Sequence, residues 1–134
     1  MSLAECCPPS DPIVHGEVMK YLLLIYMSEN ALTPGQREQC YAESTKLAWD
    51  LQNKGQYLSA NPLQPIASAT TLRIREGKRL VTDGPFAETR EQIAGYYLVD
   101  AANLDEAIHI AGKIPGARYG TVEIRPILEI PNLP

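Results

Sequence analysis

The first long apolar segment of the chain runs from Tyr21 to Met27 without a charged residue. A strand built from residues 20–27 would have two apolar faces, which is typical of a central strand covered on both sides. Helices would cover one side of it. Because the chain is small, we expect a second subunit to cover the other side.

Two helices are predicted from capping residues and apolar spacing. Thr33–Gln36 has the order of a capping box with proline at the first helical position. The helix that follows should run to about Lys54 and stop at Gly55. A second capping box, Asn103–Glu106, opens a shorter amphipathic helix. Its apolar stripe consists of Leu104, Ala107, Ile108, Ala111 and Ile114.

The remaining regular segments read as strands. Thr70–Arg75 alternates between apolar and polar positions, Glu76–Gly77 is a tight turn, and Arg79–Thr82 returns as the paired strand of a hairpin. Ile93–Asp100 and Thr121–Leu128 are two further strands. The segment Asn61 to Pro65 is predicted to be a loop.

The order of these elements predicts a ferredoxin-like α+β fold, in which an antiparallel sheet carries two helices on one face. About five strands and two helices leave the other sheet face uncovered in a single chain. An apolar face in water promotes association, so the pattern predicts a homodimer that buries this face.

Composition and charge narrow the possible partners. The 134 residues are 45% hydrophobic and 21% charged, which fits one globular domain, residues 19–134, behind an irregular proline-rich tail, residues 1–18. The net charge is -4 and there is no run of Lys and Arg, which argues against nucleic acid and anionic membranes as partners. No apolar segment is long enough to span a bilayer.

The cysteines and histidines give no metal signature. Cys6, Cys7 and Cys40 are odd in number and follow no export signal, so we expect a reducing, cytoplasmic location. There is no Cys-x-x-Cys, and His15 lies far from His109 in the sequence. Phosphate-cradling glycine loops and known nucleophile motifs are also missing, so neither metal nor cofactor is expected.

A set of short motifs extends over more than 100 residues around Asp83–Phe86, whose sequence is Asp-Gly-Pro-Phe. The set of motifs consists of Val81–Thr89, Glu91–Tyr97, Met19–Tyr26, Leu63–Pro65, Ala69–Arg73, Ile114–Arg118 and Val122–Pro126. In these motifs the chain resembles the YCII-related family, in the branch named DGPF after that tetrapeptide. The resemblance implies a ferredoxin-like fold that pairs into a dimeric α+β barrel.

The resemblance also bears on function. Relatives outside this branch are similar to small-molecule lyases, with a proposed histidine–aspartate pair whose histidine lies on the first helix. Residues 34–54 contain no histidine, Cys40 and Tyr41 stand in the middle of that stretch, and Asp83 is the only counterpart of the pair. Branch members often accompany sigma factors of the extracytoplasmic-function type, which implies a regulatory role.

The turn Asp83–Phe86 has two interpretations. As a purely structural turn, Asp83 accepts backbone N–H groups, Gly84 supplies unusual dihedrals and Pro85 fixes the next φ, with a cis Gly84–Pro85 bond as one option. As a ligand-contacting loop, it holds Asp83 against an apolar wall formed by Phe86. A carboxylate in that setting has a raised pKa and acts as a general base.

Three further side chains are ligand-binding candidates. Tyr96 and Tyr97 are strand neighbours, so one should pack under the helices while the other faces the inter-subunit cavity. Tyr26 lies on one face of the first strand and could orient a ligand in the same way. Arg73 could bind a carboxylate, although such arginines more often pair with acids or with solvent. His109 is expected on the solvent face of its helix.

The sequence leaves open whether the chain is an enzyme. One hypothesis is a cofactor-independent lyase- or isomerase-like enzyme acting on a small polar or aromatic molecule, with Asp83 transferring the proton. The alternative is a non-catalytic metabolite-binding or regulatory module, linked through the resemblance to sigma factors. A third is that the turn serves dimer assembly alone.

Overall fold

The computed structural model describes residues 19–134, so the predicted tail, residues 1–18, lies outside the described residues. The strands are β1 Met19–Met27, β2 Tyr57–Pro62, β3 Thr70–Arg75, β4 Lys78–Asp83, β5 Gln92–Ala101 and β6 Thr121–Pro126. The helices are α1 Pro34–Asn53, α2 Leu104–Ala111 and α3 Gly116–Tyr119, with a short 3-10 turn at Ile66–Ser68.

Four strands form one antiparallel sheet in the order β2-β5-β1-β6. The central position of β1 confirms the prediction made from its continuous apolar sequence. The inner face of this sheet packs against the helices and contains the core, in which Leu23, Val99 and Ile114 are almost completely buried. The α+β class with helices on one face of an antiparallel sheet is therefore confirmed.

Helix α1 begins and ends close to the predicted residues. The Thr33 hydroxyl accepts the Gln36 backbone N–H at 3.2 Å, and the Gln36 side chain accepts the Thr33 backbone N–H at 2.9 Å. These two hydrogen bonds satisfy amide groups that the first helical turn leaves free. Gly55, at φ 73°, turns the chain away after the helix, in the left-handed region that glycine adopts without strain.

Two predictions about the strands were wrong. Residues 57–62 form the edge strand β2, although Asn61 and Pro62 had indicated a loop. Pairing with β5 outweighs the low strand propensity of these residues, and proline is tolerated because β2 is an edge. The β3–β4 hairpin has the predicted pairing but forms a separate two-stranded sheet instead of joining the other strands.

The sheet face turned away from the helices, here called the outer face, carries apolar and polar side chains. Residues that alternate with buried Leu23 and Val99 point to this side. Leu22, Leu24 and Leu98 are half-buried there. Lys20, Asp100, Glu123 and Arg125 lie on the same face, so the outer face is only partly apolar.

Candidate functional site

A cavity of about 660 Å³ lies between helix α1 and the sheet, and we call it the α1 cavity. On the helix side, Cys40, Ser44 and Ala48 line it at a spacing of four residues. Residues at this spacing share one helix face, and all three are small. Gly95 lies on the sheet side. The small side chains of the helix wall leave room that larger residues would fill, whereas a Cβ at Gly95 would lie 2.9 Å from the Asn61 backbone oxygen. The apolar part of the wall includes Ile25, Met27, Leu32, Trp49, Tyr97 and Ile114.

The loops after β1 and after β2 both contribute residues to the wall of the α1 cavity. The Glu29 carboxylate accepts the Ile66 backbone N–H at 3.1 Å, which joins the loop after β1 to the loop after β2. The Arg37 guanidinium donates to the Glu29 backbone carbonyl at 3.4 Å. Arg37 and Glu29 are the charged residues on the described cavity wall.

Cys40 and Tyr41 both line the α1 cavity, in the stretch where lyase-like relatives carry a histidine. Cys40 is buried, as predicted for a small apolar residue. Burial raises the pKa of the Cys40 thiol, and the nearby Glu43 carboxylate raises it further. The thiol is therefore held in its neutral form, which is the weaker nucleophile. Trp49, 64% exposed, forms part of the rim.

The two neighbouring tyrosines of β5 point to opposite sides of the sheet, as predicted. Tyr97 is buried under α1, and its hydroxyl donates to the Ser44 backbone carbonyl at 2.6 Å. Burial raises the pKa of Tyr97. The Tyr96 hydroxyl lies 2.9 Å from Ser59 Oγ and accepts a hydrogen bond from Asn61 Nδ2 at 2.9 Å. These hydrogen bonds, Ser59 first, lower the pKa of Tyr96.

The Asp83–Phe86 turn begins at the last residue of β4, at the end of the hairpin away from its Glu76–Gly77 turn. Asp83 ends β4 opposite Thr70 and is exposed. Gly84 has φ 103°, its N–H donates to the Ala69 carbonyl at 2.8 Å, and its own carbonyl accepts the Thr71 hydroxyl at 2.7 Å. The Gly84–Pro85 bond is trans, so the cis option was wrong. Backbone and Thr71 contacts at Gly84 therefore hold this turn in shape.

Phe86 and Arg73 are neighbours beside this turn. Phe86 is 76% exposed, and the Arg73 guanidinium lies over its ring at 5.7 Å from the centroid. Within the described residues, Arg73 forms no ion pair with an acidic side chain, which differs from the pairing considered in the sequence analysis. The aromatic ring instead provides the contact for its positive charge.

Tyr26 is separate from the hairpin and from the α1 cavity. Its hydroxyl donates to Glu123 Oε1 at 2.9 Å, and this hydrogen bond raises the pKa of Tyr26. Among the seven predicted site residues, Tyr96 is the one that borders the α1 cavity, although its side chain lies on the outer face of the sheet with Ser59 and Asn61. The structure therefore does not bring the predicted set together within one described chain. The others are Tyr26, Arg73, Asp83, Gly84, Pro85 and Phe86.

Comparison with known proteins identifies the family of this chain. The YCII-related domain family matches residues 19–131. The chain belongs to the YCII-related family. An uncharacterised protein of Rhizobium meliloti (strain 1021) is 37% identical over 118 residues, covering 81% of this chain and 92% of that protein. Neither comparison gives a reaction or a ligand.

Two further features of this YCII-related chain concern residues 19–134. None of the helices there is both long enough and apolar enough to cross a membrane. Groups of three or more histidine, cysteine, aspartate or glutamate side chains with the geometry of a metal site are likewise missing from that range. His109 is exposed on α2, as predicted.

Sequence reasoning missed the α1 cavity and the partners of Tyr96. The signal for the cavity is in the sequence, since Cys40, Ser44 and Ala48 place three small residues on the face of α1 that packs on the sheet. Ser59 and Asn61 gave no such signal, because residues 61–65 were interpreted as a loop. Their alternate positions on β2 place both side chains on the same sheet face as Tyr96.

Proposed function

We propose that this chain is a metabolite-binding or regulatory module that holds a small, largely apolar molecule in the α1 cavity. The observation that carries the proposal is the cavity itself, about 660 Å³, with a wall that is more apolar than polar. Small-molecule sites are concave, mostly apolar, and fall in the range of about 300–1,000 Å³. The ligand would be small, because it must fit between α1 and the sheet.

The chemistry of the cavity wall favours binding over catalysis. The Glu29 carboxylate already accepts a backbone N–H, and the Cys40 thiol is held neutral by burial. Proton transfer needs a group whose pKa lies near the working pH and whose geometry suits the substrate. The charged and nucleophilic groups on the described wall do not form such a pair.

Filling the cavity tests the proposal. Ala48 lines the α1 cavity, whereas Ala42 lies on the same helix, is exposed and does not line it. Ala48→Phe should weaken binding of the fluorescent apolar probe 1-anilinonaphthalene-8-sulfonate by about tenfold or more, since the ring occupies the site. Ala42→Phe adds the same side chain and should leave probe binding unchanged.

Two further measurements keep this test decisive. Overpacking costs about 1–3 kcal/mol, so each variant is checked by far-UV circular dichroism and a thermal melt. Thr45→Phe fills the same cavity from an exposed position of α1. Equal probe binding by folded Ala48→Phe, Thr45→Phe and Ala42→Phe would contradict the proposed cavity function.

A second candidate function is supported by Asp83. Its carboxylate is exposed and takes no hydrogen bond or ion pair from other described residues, so it is available to a substrate. Phe86 and Arg73 adjoin the same turn and provide an apolar surface and a cation. We propose on this basis a cofactor-independent lyase- or isomerase-like activity on a small polar or aromatic molecule, with Asp83 as general base.

The Asp83 proposal is tested once a substrate has been confirmed. Asp83→Asn should abolish most turnover, because an amide cannot accept the proton, while Glu88→Gln on the same exposed loop should not. Unchanged turnover in Asp83→Asn would remove Asp83 from the mechanism and leave the binding function as the better proposal.

We also propose a homodimer and a cytoplasmic location. The half-buried Leu22, Leu24 and Leu98 on the outer face support the dimer, because an apolar sheet face is unfavourable in water. The odd number of cysteines supports a reducing compartment. Membership in the DGPF branch and contact with a sigma factor are predictions that rest on the sequence resemblance alone.

A further inference from the structure

Arg37 lies at one end of the α1 cavity, between two parts of its wall. The face of α1 that lines the cavity contains, at spacings of four, three and four residues, Arg37, Tyr41, Ser44 and Ala48. The Arg37 guanidinium reaches from this face to the loop after β1, where it donates to the Glu29 backbone carbonyl at 3.4 Å. Because Glu29 also belongs to the wall, the guanidinium lies at the cavity and not on the opposite face of α1.

A second observation places the positive charge of Arg37 close to a buried residue of the cavity wall. Burial, followed by the charge of Glu43, raises the pKa of the Cys40 thiol, and the positive charges of Arg118 and Arg37 lower it. Arg118 is paired with Glu43 Oε1 at 2.9 Å. Arg37, in contrast, forms no ion pair with another described residue. Of these two cations, Arg37 is therefore the one whose charge is not matched by a paired carboxylate.

Most hydrogen-bond donors of Arg37 are available to a ligand. A guanidinium presents its N–H donors in a planar fork that fits a carboxylate through two parallel hydrogen bonds. The contact with the Glu29 carbonyl, at 3.4 Å, is longer than the range of about 2.7–3.2 Å for ordinary N–H···O hydrogen bonds. The Glu29 carboxylate accepts the Ile66 N–H instead and does not pair with Arg37.

The α1 cavity extends along the helix away from Arg37. Its wall on α1 continues to Trp49, twelve residues further along the helix. At about 1.5 Å per residue, this separation is about 18 Å along the helix axis. The sheet side and the α2–α3 connection add the apolar Ile25, Ala60 and Ile114 to the wall. A ligand held at Arg37 therefore has room for an elongated apolar part that runs along α1 toward Trp49.

We propose that the ligand of the α1 cavity is an elongated apolar carboxylic acid whose carboxylate binds the Arg37 guanidinium. This inference rests on the proposed binding function of the cavity and names the class of its ligand. One guanidinium suits a singly charged carboxylate better than a phosphate, whose charge is about -1.5 to -2 at neutral pH. Arg37 is exposed at the mouth of the cavity, so the bound carboxylate stays partly hydrated and the preference for it is moderate.

A matched pair of ligands tests the role of Arg37. We would measure binding of octanoate and of octanamide, its uncharged amide of the same shape, by isothermal titration calorimetry at neutral pH. The native chain should bind octanoate about tenfold more tightly than octanamide. Arg37→Gln should lose most of that preference while still binding octanamide. Arg37→Lys keeps the charge without the planar fork and should keep part of the preference.

A control arginine separates the contact from the net charge. Arg75→Gln removes the same charge from an exposed position of β3 outside the cavity wall and should keep the preference. A preference that survives in Arg37→Gln, or that is absent from the native chain although octanamide binds, would overturn the role of Arg37 and leave the cavity function intact. If neither compound binds the native chain, the inference fails, and probe binding by Ala48→Phe and Ala42→Phe decides separately on the cavity function.

Trp49 reports the orientation of the bound acid, because it is the single tryptophan in the sequence and lies on the rim of the cavity. Bromine quenches tryptophan fluorescence on contact. The isomers 12-bromododecanoate and 2-bromododecanoate carry it at the far end of the alkyl chain and beside the carboxylate. With the carboxylate at Arg37, the first isomer should quench Trp49 more strongly, and Arg37→Gln should reduce the difference. Equal quenching by the two isomers, or stronger quenching by the second, would overturn the proposed orientation.

Discussion

The four-stranded sheet and the β3–β4 hairpin are built from the same kind of alternating strand but differ in burial. In the sheet, Leu23 on β1 is 0% exposed beneath the helices. In the hairpin, Leu72 on β3 is 54% exposed, and Ile74 and Val81 are more than half exposed. Leu72 pairs with Val81, so these three side chains share one face of the hairpin.

This difference shows that the alternation of apolar and polar residues predicts which face of a strand is apolar. It does not predict which element will cover that face. A two-stranded hairpin alone in water is marginally stable at best. The hairpin of one described chain has no helix over Leu72, Ile74 and Val81, whereas the sheet has α1 over Leu23. In the proposed homodimer, we expect the partner subunit to cover this face of the hairpin.

The largest expected effect concerns how much the four-stranded sheet and the β3–β4 hairpin each contribute to the stability of one chain. Leu23→Ala should lower the free energy of unfolding by about 2–5 kcal/mol, because it leaves a cavity in a closed core. Leu72→Ala removes the same atoms from an exposed site, where substitutions usually stay within about 0.5 kcal/mol. Urea denaturation at low protein concentration measures both, and equal losses would contradict the contrast.

The second prediction tests the cover over the hairpin. If a partner subunit buries Leu72, Leu72→Asp removes about 1.5–3 kcal/mol of apolar burial and should weaken the dimer at least tenfold. Leu104→Asp, at a similarly exposed leucine on α2, is the matched control and should leave the dimer unchanged. Sedimentation equilibrium reports the dissociation constant. If the unsubstituted protein is monomeric, both the proposed homodimer and the proposed burial of Leu72 by a partner subunit are wrong.

Much of the fold could be predicted from the sequence because its signals are local. Thr33 and Gln36 form the capping box that their spacing indicated, and the continuous apolar sequence of β1 put that strand at the centre. Strand β2 was not predicted because it depends on pairing with β5. Asn61 and Pro62 have low strand propensity and do not indicate that pairing. The separation of the hairpin from the sheet is likewise a property of tertiary packing.

The candidate site was predictable only in part. The opposite orientations of Tyr96 and Tyr97 follow from strand alternation. The partners of Tyr96 depend on β2, so the sequence could not supply them. The α1 cavity is defined by missing volume beside Ser44 and Ala48, and small residues on a helix face predict close packing as readily as a gap.

A third, smaller effect concerns the unit formed by the sheet and α1. Thr33→Ala removes the hydroxyl that accepts the Gln36 N–H and should lower the free energy of unfolding by about 1 kcal/mol. Thr33→Ser keeps a capping hydroxyl and should stay near the native value. Urea denaturation measures both variants. Equal losses for alanine and serine would show that the cap hydrogen bond contributes little to α1.

The smallest expected effect tests the hairpin side of the comparison, at Arg73 and Phe86. A cation over an aromatic ring contributes about 0.5–1 kcal/mol at an exposed site and about 2 kcal/mol or more when water is excluded. A double-mutant cycle with Arg73→Gln, Phe86→Leu and the double variant isolates this pairwise energy. Zero coupling would mean that the contact at 5.7 Å does not stabilise the turn. Coupling at the lower value would indicate a hairpin turn that stays in water. Coupling near the upper value that disappears at concentrations where the dimer dissociates would place Phe86 under the partner subunit. The exposure of this turn would then be a property of the single chain alone.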